Sequence, residues 1–242
     1  GRCVGSMSGC PPQLQPVMLP PGFLESPPTA RRAAGRRGPA EAAAARLLRL
    51  QGTPAEEDIL LALGGELARW RRDPTLATRV LSTLARGRRP ALAERLLRCM
   101  QGSCVDVNVF HCSSVIAGYE KDGDWQSALG FLGRMPELQA DPNVVSYSAA
   151  ISACAKGGQW LMALGLLDDM FAAGLPPNVI SYSAAISACE KDGQWQRALM
   201  LLDRMAAAAV LPDVVTYNTA ISACAKAGQW QTACGLLAHM RA

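Results

Sequence analysis

Tryptophan returns in this chain at a fixed interval: Trp125, Trp160, Trp195 and Trp230 stand 35 residues apart. Gly123, Gly158, Gly193 and Gly228 keep the same interval, as do Met135, Met170, Met205 and Met240. Whole segments recur in that register, with Tyr147-Ser148-Ala149-Ala150-Ile151 returning as Tyr182-Ser183-Ala184-Ala185-Ile186 and then as Tyr217-Asn218-Thr219-Ala220-Ile221. Such a period means that one supersecondary unit is copied along the chain and buries its apolar face against its neighbours. Counting domains from length alone is then meaningless. Clear units begin at Val109, Val144, Val179 and Val214, and the last runs to Ala242.

Each unit reads as two helices. In the unit that begins at Val144, Tyr147, Ile151 and Cys154 fall at i, i+4 and i+7 and make one apolar stripe on a first helix. Gly158 is placed to close it in the left-handed conformation. Trp160, Ala163, Leu164, Leu167 and Met170 then make the apolar face of a second helix, and Leu175-Pro176-Pro177 ends it. Asn178 is placed to cap the following first helix, with Ser181 inside its first turn. A hairpin this short cannot cover its own apolar faces. The fold expected is therefore all-α, a right-handed α-solenoid of stacked helix-turn-helix hairpins.

The register extends backwards with less fidelity. Residues 74–108 keep Ala93, Leu96, Leu97 and Met100 at the core offsets but place Pro90 where the other units have Trp, which the first turn of a helix tolerates. Residues 40–73 read as a degenerate hairpin, with Thr53-Pro54 opening its second helix. Residues 1–39, rich in Pro, Gly and Arg with Glu25 as the only acid, read as a disordered or transit-peptide-like segment. The repeat array proper is thus 74–242, in units 74–108, 109–143, 144–178, 179–213 and 214–242.

Charge is divided along the chain. Residues 1–108 carry 16 basic and 9 acidic side chains and residues 109–242 carry 8 and 11, so the net charge passes from +7 to −3. Any phosphate contact in the second half must come from placed lysines and not from bulk charge. No apolar run reaches the roughly 18 residues needed to cross a bilayer, so no membrane partner is expected. Cys154, Cys189 and Cys224 recur inside apolar stretches, as small core residues do, and suit a reducing compartment. Cys99, Cys104, His111 and Cys112 lie close in sequence but lack paired zinc-ligand spacing, so no metal is expected. His111 and His239 stand apart from any Ser-His-Asp or Cys-His order, and no glycine-rich phosphate loop occurs. Asp168-Asp169 suits a solvated face. The expectation is a non-enzyme with no cofactor and no small-molecule substrate.

Asp213-Val214-Val215-Thr216-Tyr217-Asn218-Thr219, followed by Ala225-Lys226-Ala227-Gly228 and Leu236-Leu237, resembles the pentatricopeptide repeat (PPR). The resemblance is close over residues 109–242 and looser over 74–108. Trp in the turn departs from the commonest form of that repeat. The resemblance implies single-stranded RNA as partner, one base per repeat, an organellar setting (chloroplast or mitochondrion), roles in RNA processing, stability or translation, and partner proteins that supply any chemistry. It also implies that the fifth and last residues of a repeat read the base. On this sequence those pairs are Thr78 with Asn108, Ser113 with Asn143, Ser148 with Asn178 and Ser183 with Asp213, while Asn218 has no last-position partner. The code implied is A-A-A-G-pyrimidine, with A-A-G-pyrimidine as its core.

Helix geometry agrees. Positions 2, 5, 9 and 13 of a first helix, advancing 100° per residue, fall within roughly 80° of arc. In successive clear units that arc holds Phe110, Ser113, Ala117 and Lys121, then Val145, Ser148, Ser152 and Lys156, then Ile180, Ser183, Ser187 and Lys191, then Val215, Asn218, Ser222 and Lys226. The second-position side chains Phe110, Val145, Ile180 and Val215 could flank a base, and the lysines could reach phosphate. Structural roles compete with each of these. Asn143, Asn178 and Asp213 suit helix caps equally well, Ser148 and Ser183 could be spacers between hairpins, and Lys156 and its relatives could complement helix dipoles. The Trp series falls on the leucine face and is expected in the core. A protein-interaction scaffold with no RNA readout is the alternative reading, favoured by the low charge of the clear units. A third is the targeting arm of an RNA-processing enzyme, although no carboxylate-rich nuclease segment lies in the sequence.

Overall fold

The computed structural model describes residues 38–240 except Gln51 and Thr53. The expected disordered segment therefore lies outside the described residues, apart from its last two positions, as does the Thr53 half of the Thr53-Pro54 start. Among the described residues there are thirteen α-helices, one short 3-10 turn at Pro136–Leu138 and no strand. Hairpins pair α4 (Pro74–Arg86) with α5 (Pro90–Gly102), α6 (Val109–Asp122) with α7 (Trp125–Arg134), and α8 (Val144–Lys156) with α9 (Trp160–Ala172). Beyond them α10 (Val179–Lys191) pairs with α11 (Trp195–Ala207) and α12 (Val214–Lys226) with α13 (Trp230–His239). The all-α solenoid expected from the period is what the chain forms. Among the described residues no helix is long and apolar enough to cross a membrane.

Ahead of the array the expected hairpin differs from the reading. Three helices occupy it, α1 (Pro39–Leu48), α2 (Glu56–Leu63) and α3 (Glu66–Trp70), because Gly64, left-handed at φ 57°, and Gly65 break the second stretch. Even so, α1 packs on α4 and α2 on α5, the places a preceding unit would take. Arg89 donates to the carbonyls of Leu50 and Gly52 and Arg95 to that of Pro54, which pins the connection between α1 and α2 to the first array unit.

First helices pack directly on one another in a continuous row, α1, α4, α6, α8, α10 and α12, while each second helix leans on its own first helix and on the next one. Small side chains permit the row. Ala150, Ala153, Ala185, Ala188, Ala220 and Ala223 are all fully buried between first helices, and a Cβ on Gly118 would lie 3.3 Å from the Ala85 backbone. Larger residues, Leu166, Leu167, Met170, Leu201, Leu202 and Met205, fill the space between layers. A row of close first helices with more widely set second helices curves, and its first helices form the inner side.

Turns repeat as strictly as helices. Gly123, Gly158, Gly193 and Gly228 are left-handed at φ 69–77°, and the following N–H returns to the carbonyl five residues back, as in Gln159 to Cys154 at 2.9 Å. Second helices end in the same way, and earlier than the Pro-Pro pair suggested. Gly174 is left-handed at φ 69° and Leu175 donates to the Met170 carbonyl at 2.9 Å. Trp125, Trp160 and Trp195 are half-buried against the core instead of lying within it, and Trp230 is 66% exposed. Trp125 covers Gly157 of the next unit so closely that a Cβ there would stand 2.3 Å from its ring.

Candidate nucleic-acid interface

The inner row carries a line of exposed apolar side chains that the core does not use. Phe110, Val145, Ile180 and Val215, one per hairpin at the second position, are each 58–68% exposed. An aliphatic or aromatic residue kept in water at the same place in four units is not explained by packing.

Below that line lie the last-position groups. Asn108, Asn143 and Asn178 cap α6, α8 and α10 by accepting the backbone N–H of His111, Ser146 and Ser181 at 3.0, 3.0 and 2.9 Å. Asp213 does the same for α12 through Thr216 N–H at 2.8 Å. The cap orients each group. Since Oδ1 of the asparagines must face the helix N–H, the amide NH2 is left as the free edge, two donors with no protein acceptor among the described residues. Asp213 turns one carboxylate oxygen to the helix and keeps a second, acceptor-only oxygen. The hydrogen bonds from the Thr216 hydroxyl and N–H hold its carboxyl below the usual range, so it is charged at neutral pH. Successive hairpins thus present donor, donor, donor and acceptor.

Fifth-position residues divide into two kinds. Ser113 and Ser148 are 7% and 5% exposed, and their hydroxyls are turned into the protein. Ser113 Oγ lies 2.9 Å from Ser146 Oγ, which donates to Asn143 Oδ1 at 3.1 Å. Ser148 Oγ lies 2.7 Å from Ser181 Oγ, which donates to Asn178 Oδ1 at 3.0 Å. With those donors committed to the caps, the single proton of Ser113 or Ser148 is shared between the next hydroxyl and its own helix carbonyl, Val109 or Val144. The fifth and last residues of a unit are therefore joined through the third residue of the next. Ser183 is half-buried and bonds only to the Ile180 carbonyl at 3.2 Å, Thr78 is half-buried on the Pro74 carbonyl at 3.3 Å, and Asn218 is exposed. Between Thr78 and Asn108 no such relay exists, because His111 stands in the third position. It is fully buried, its Nδ1 accepting the Asn108 N–H at 3.2 Å and its Nε2 lying 3.1 Å from the Pro74 carbonyl.

Lys121, Lys156, Lys191 and Lys226 are all exposed at the C-terminal ends of their first helices. Two are engaged, Lys156 with Glu120 at 3.0 Å and Lys226 with Glu190 at 2.6 Å, while Lys191 donates to the Lys156 carbonyl at 3.2 Å. Sequence reading stopped the cation row one unit short. Arg86, exposed at the end of α4, is the same 35 residues before Lys121 and was legible from spacing alone. The bridging residues Ser146 and Ser181, and Thr216 at the same register, carried the same signal. Ser181 was placed in the first turn of its helix, but the contact to the preceding unit was not read, because the period does not say which hydroxyl meets which.

Sequence profiles of the PPR repeat family match residues 107–156, 142–190 and 177–226, and a PPR repeat profile matches 215–242, together more than half of the chain. No curated protein matches the chain. Among solved structures it is similar to the pentatricopeptide repeat protein PPR10 from maize, at 20% identity over 76% of this chain and 27% of that one, with a TM-score of 0.60. PPR10 in complex with an 18-nt psaJ RNA element gives 23% identity over 83% and 30% of the two chains, with a TM-score of 0.59. The PPR domain of Arabidopsis thaliana protein-only RNase P 1, in complex with tRNA, gives 15% identity over 66% and 85%, with a TM-score of 0.58. The chain thus spans less than a third of PPR10, and these likenesses carry the fold.

Proposed function

Because the chain belongs to the pentatricopeptide repeat family, we propose that it binds single-stranded RNA along its row of first helices, one nucleotide to a hairpin. The observation that carries this reading is the exposed apolar line of Phe110, Val145, Ile180 and Val215 beside the free edges of Asn143, Asn178 and Asp213. A base laid between two such side chains is covered on both faces, and its polar edge meets the last-position group. An asparagine NH2 donates to a ring acceptor and suits adenine. The Asp213 carboxylate only accepts and suits the N–H groups of guanine. Ser113 and Ser148 act on the base through the asparagine they help to hold, whereas Ser183, Thr78 and Asn218 are open enough to touch it. The site read from Thr78 to Asn218 is A-A-A-G-pyrimidine in the 5′ to 3′ direction.

In this reading the hairpins grip a short RNA segment in an organelle, and any cleavage or editing is done by other proteins or domains. Each base contributes on the order of 1 to 3 kcal/mol before ordering costs, so five hairpins give modest affinity. Selection of bound sequences from a random RNA pool tests the reading when the natural chain is compared with Asp213→Asn. One preferred base should move from G to A and the others should stay. A preference untouched by the substitution leaves Asp213 as a cap alone, and a pool that enriches no sequence overturns the reading.

A further inference from the structure

Acids interrupt the cation row in a pattern of two hairpins. At the twelfth position of successive units stand Ala85, Glu120, Ala155, Glu190 and Ala225, each next to the cation of its own unit. The two glutamates reach forward. Glu120 takes Lys156 at 3.0 Å, and Glu190 takes Lys226 at 2.6 Å together with the Ser222 hydroxyl at 2.8 Å. Their side chains are 25% and 16% exposed against 46% and 52% for the lysines, so the acids lie deeper and the ammonium groups close over them. Arg86, Lys121 and Lys191 have no carboxylate partner among the described residues. Burial alone would raise the Glu190 carboxyl, but hydrogen bonds from Lys226 and Ser222 and the charges of Lys226 and Lys191 together outweigh it and keep the group ionised.

We propose that Glu120 and Glu190 are built-in competitors for phosphate, which mask Lys156 and Lys226 and leave the RNA backbone to Arg86, Lys121 and Lys191. The inference rests on the RNA-binding reading above and adds to it a reason why unmatched RNA is held weakly. A phosphate that approaches Lys156 must displace a carboxylate already in contact, and that carboxylate then faces a phosphate of like charge. Backbone attraction is the part of binding that does not distinguish sequences. Held low, it keeps the affinity for unmatched RNA small, so that a lasting complex needs the last-position contacts as well.

The test is a salt titration of RNA binding with a matched oligonucleotide containing AAAGU and a scrambled one, for the natural chain, Glu120→Gln/Glu190→Gln, and Asp168→Asn/Asp203→Asn. The last variant removes the same charge from second helices, and glutamine keeps the shape of the masked sites. Two unmasked cations add about 0.7 each to the slope of log affinity against log salt, so the glutamine pair should steepen it by about 1.4. Each single glutamine should give half of that change. Both oligonucleotides should bind more tightly by about the same factor, which leaves the ratio between them unchanged, while the asparagine pair moves the slope little. Binding by the natural chain with an unchanged slope in the glutamine pair overturns the inference alone, as does equal steepening in the asparagine pair. No salt-dependent binding by the natural chain overturns the RNA reading, and the masking role falls with it.

Discussion

Ser148 of one hairpin and Ser181 of the next share a hydrogen bond of 2.7 Å between their hydroxyls, and Ser181 in turn donates to Asn178 at 3.0 Å. The chain that results ties a first helix to the cap of its neighbour. It also means that the asparagine proposed to meet a base is held from below before any RNA arrives, which would lower the ordering cost of recognition. Replacing Ser181 with Ala should cost about 1 kcal/mol in a urea unfolding titration, since the backbone cap survives but the hydroxyl contacts do not. Ser181→Thr should lose much less, because Thr216 makes the same contact to Asp213 at 2.7 Å. Equal losses for Ala and Thr would show that packing, and not the hydroxyl, stabilises the site.

Gly157 and Gly165 make a second, purely structural contrast. A Cβ at Gly157 meets the Trp125 ring at 2.3 Å, whereas one at Gly165, in the exposed middle of α9, meets nothing within 4 Å. Gly157→Ala should therefore destabilise by about 1 to 3 kcal/mol through overpacking and shift the tryptophan fluorescence. Gly165→Ala should stabilise by about 1 kcal/mol through helix propensity. Thermal melts of the two variants check both signs.

The 35-residue period made the architecture legible, because Trp125, Gly158 and Met170 report a periodicity that only stacked hairpins satisfy. The caps were equally legible from Asn178 and Ser181, a polar acceptor three residues before a backbone N–H it can reach. Second-helix ends were harder to place. Their left-handed residues are Cys104, Gln139, Gly174 and Ala209, and only one is the glycine that announces such a turn. Contacts across units were not legible at all. Nothing in a one-dimensional register says that Ser113 turns inward to Ser146 or that Lys156 reaches back to Glu120, since both depend on how far one helix is offset along the next. The extra break at Gly64-Gly65 was missed because residues 40–73 carry too little of the repeat for its register to guide the reading.

His111 predicts a pH dependence of stability. Burial opposes charging of its imidazole and outweighs the favourable bond to the Pro74 carbonyl, so its folded value lies below the ordinary 6.5. The unfolded chain then binds a proton near pH 6.5 that the folded chain refuses, and stability follows the difference in bound protons. The contribution is complete above about pH 6.5 and is lost as pH falls through the depressed folded value. Unfolding free energy measured against pH should show a slope in that window that is absent from His111→Ser, the residue Ser146 and Ser181 place at the same register. A slope shared by both proteins would assign it to other groups.

Phe110→Ala separates binding from folding most directly. The ring is 68% exposed, so its removal should change the unfolding free energy by no more than about 0.5 kcal/mol. Stacking of a base on an aromatic ring contributes about 1 to 3 kcal/mol, which corresponds to a loss of roughly five-fold to more than a hundred-fold in affinity for the AAAGU oligonucleotide. Val145→Ala and Ile180→Ala, whose side chains present no π face, should lose less each. Fluorescence anisotropy titrations beside urea unfolding of the same three variants check the pairing of outcomes. Intact stability with weakened binding follows from an apolar line that exists to hold bases. Weakened stability with intact binding would place these side chains in the fold, and unchanged values for both would remove them from the interface.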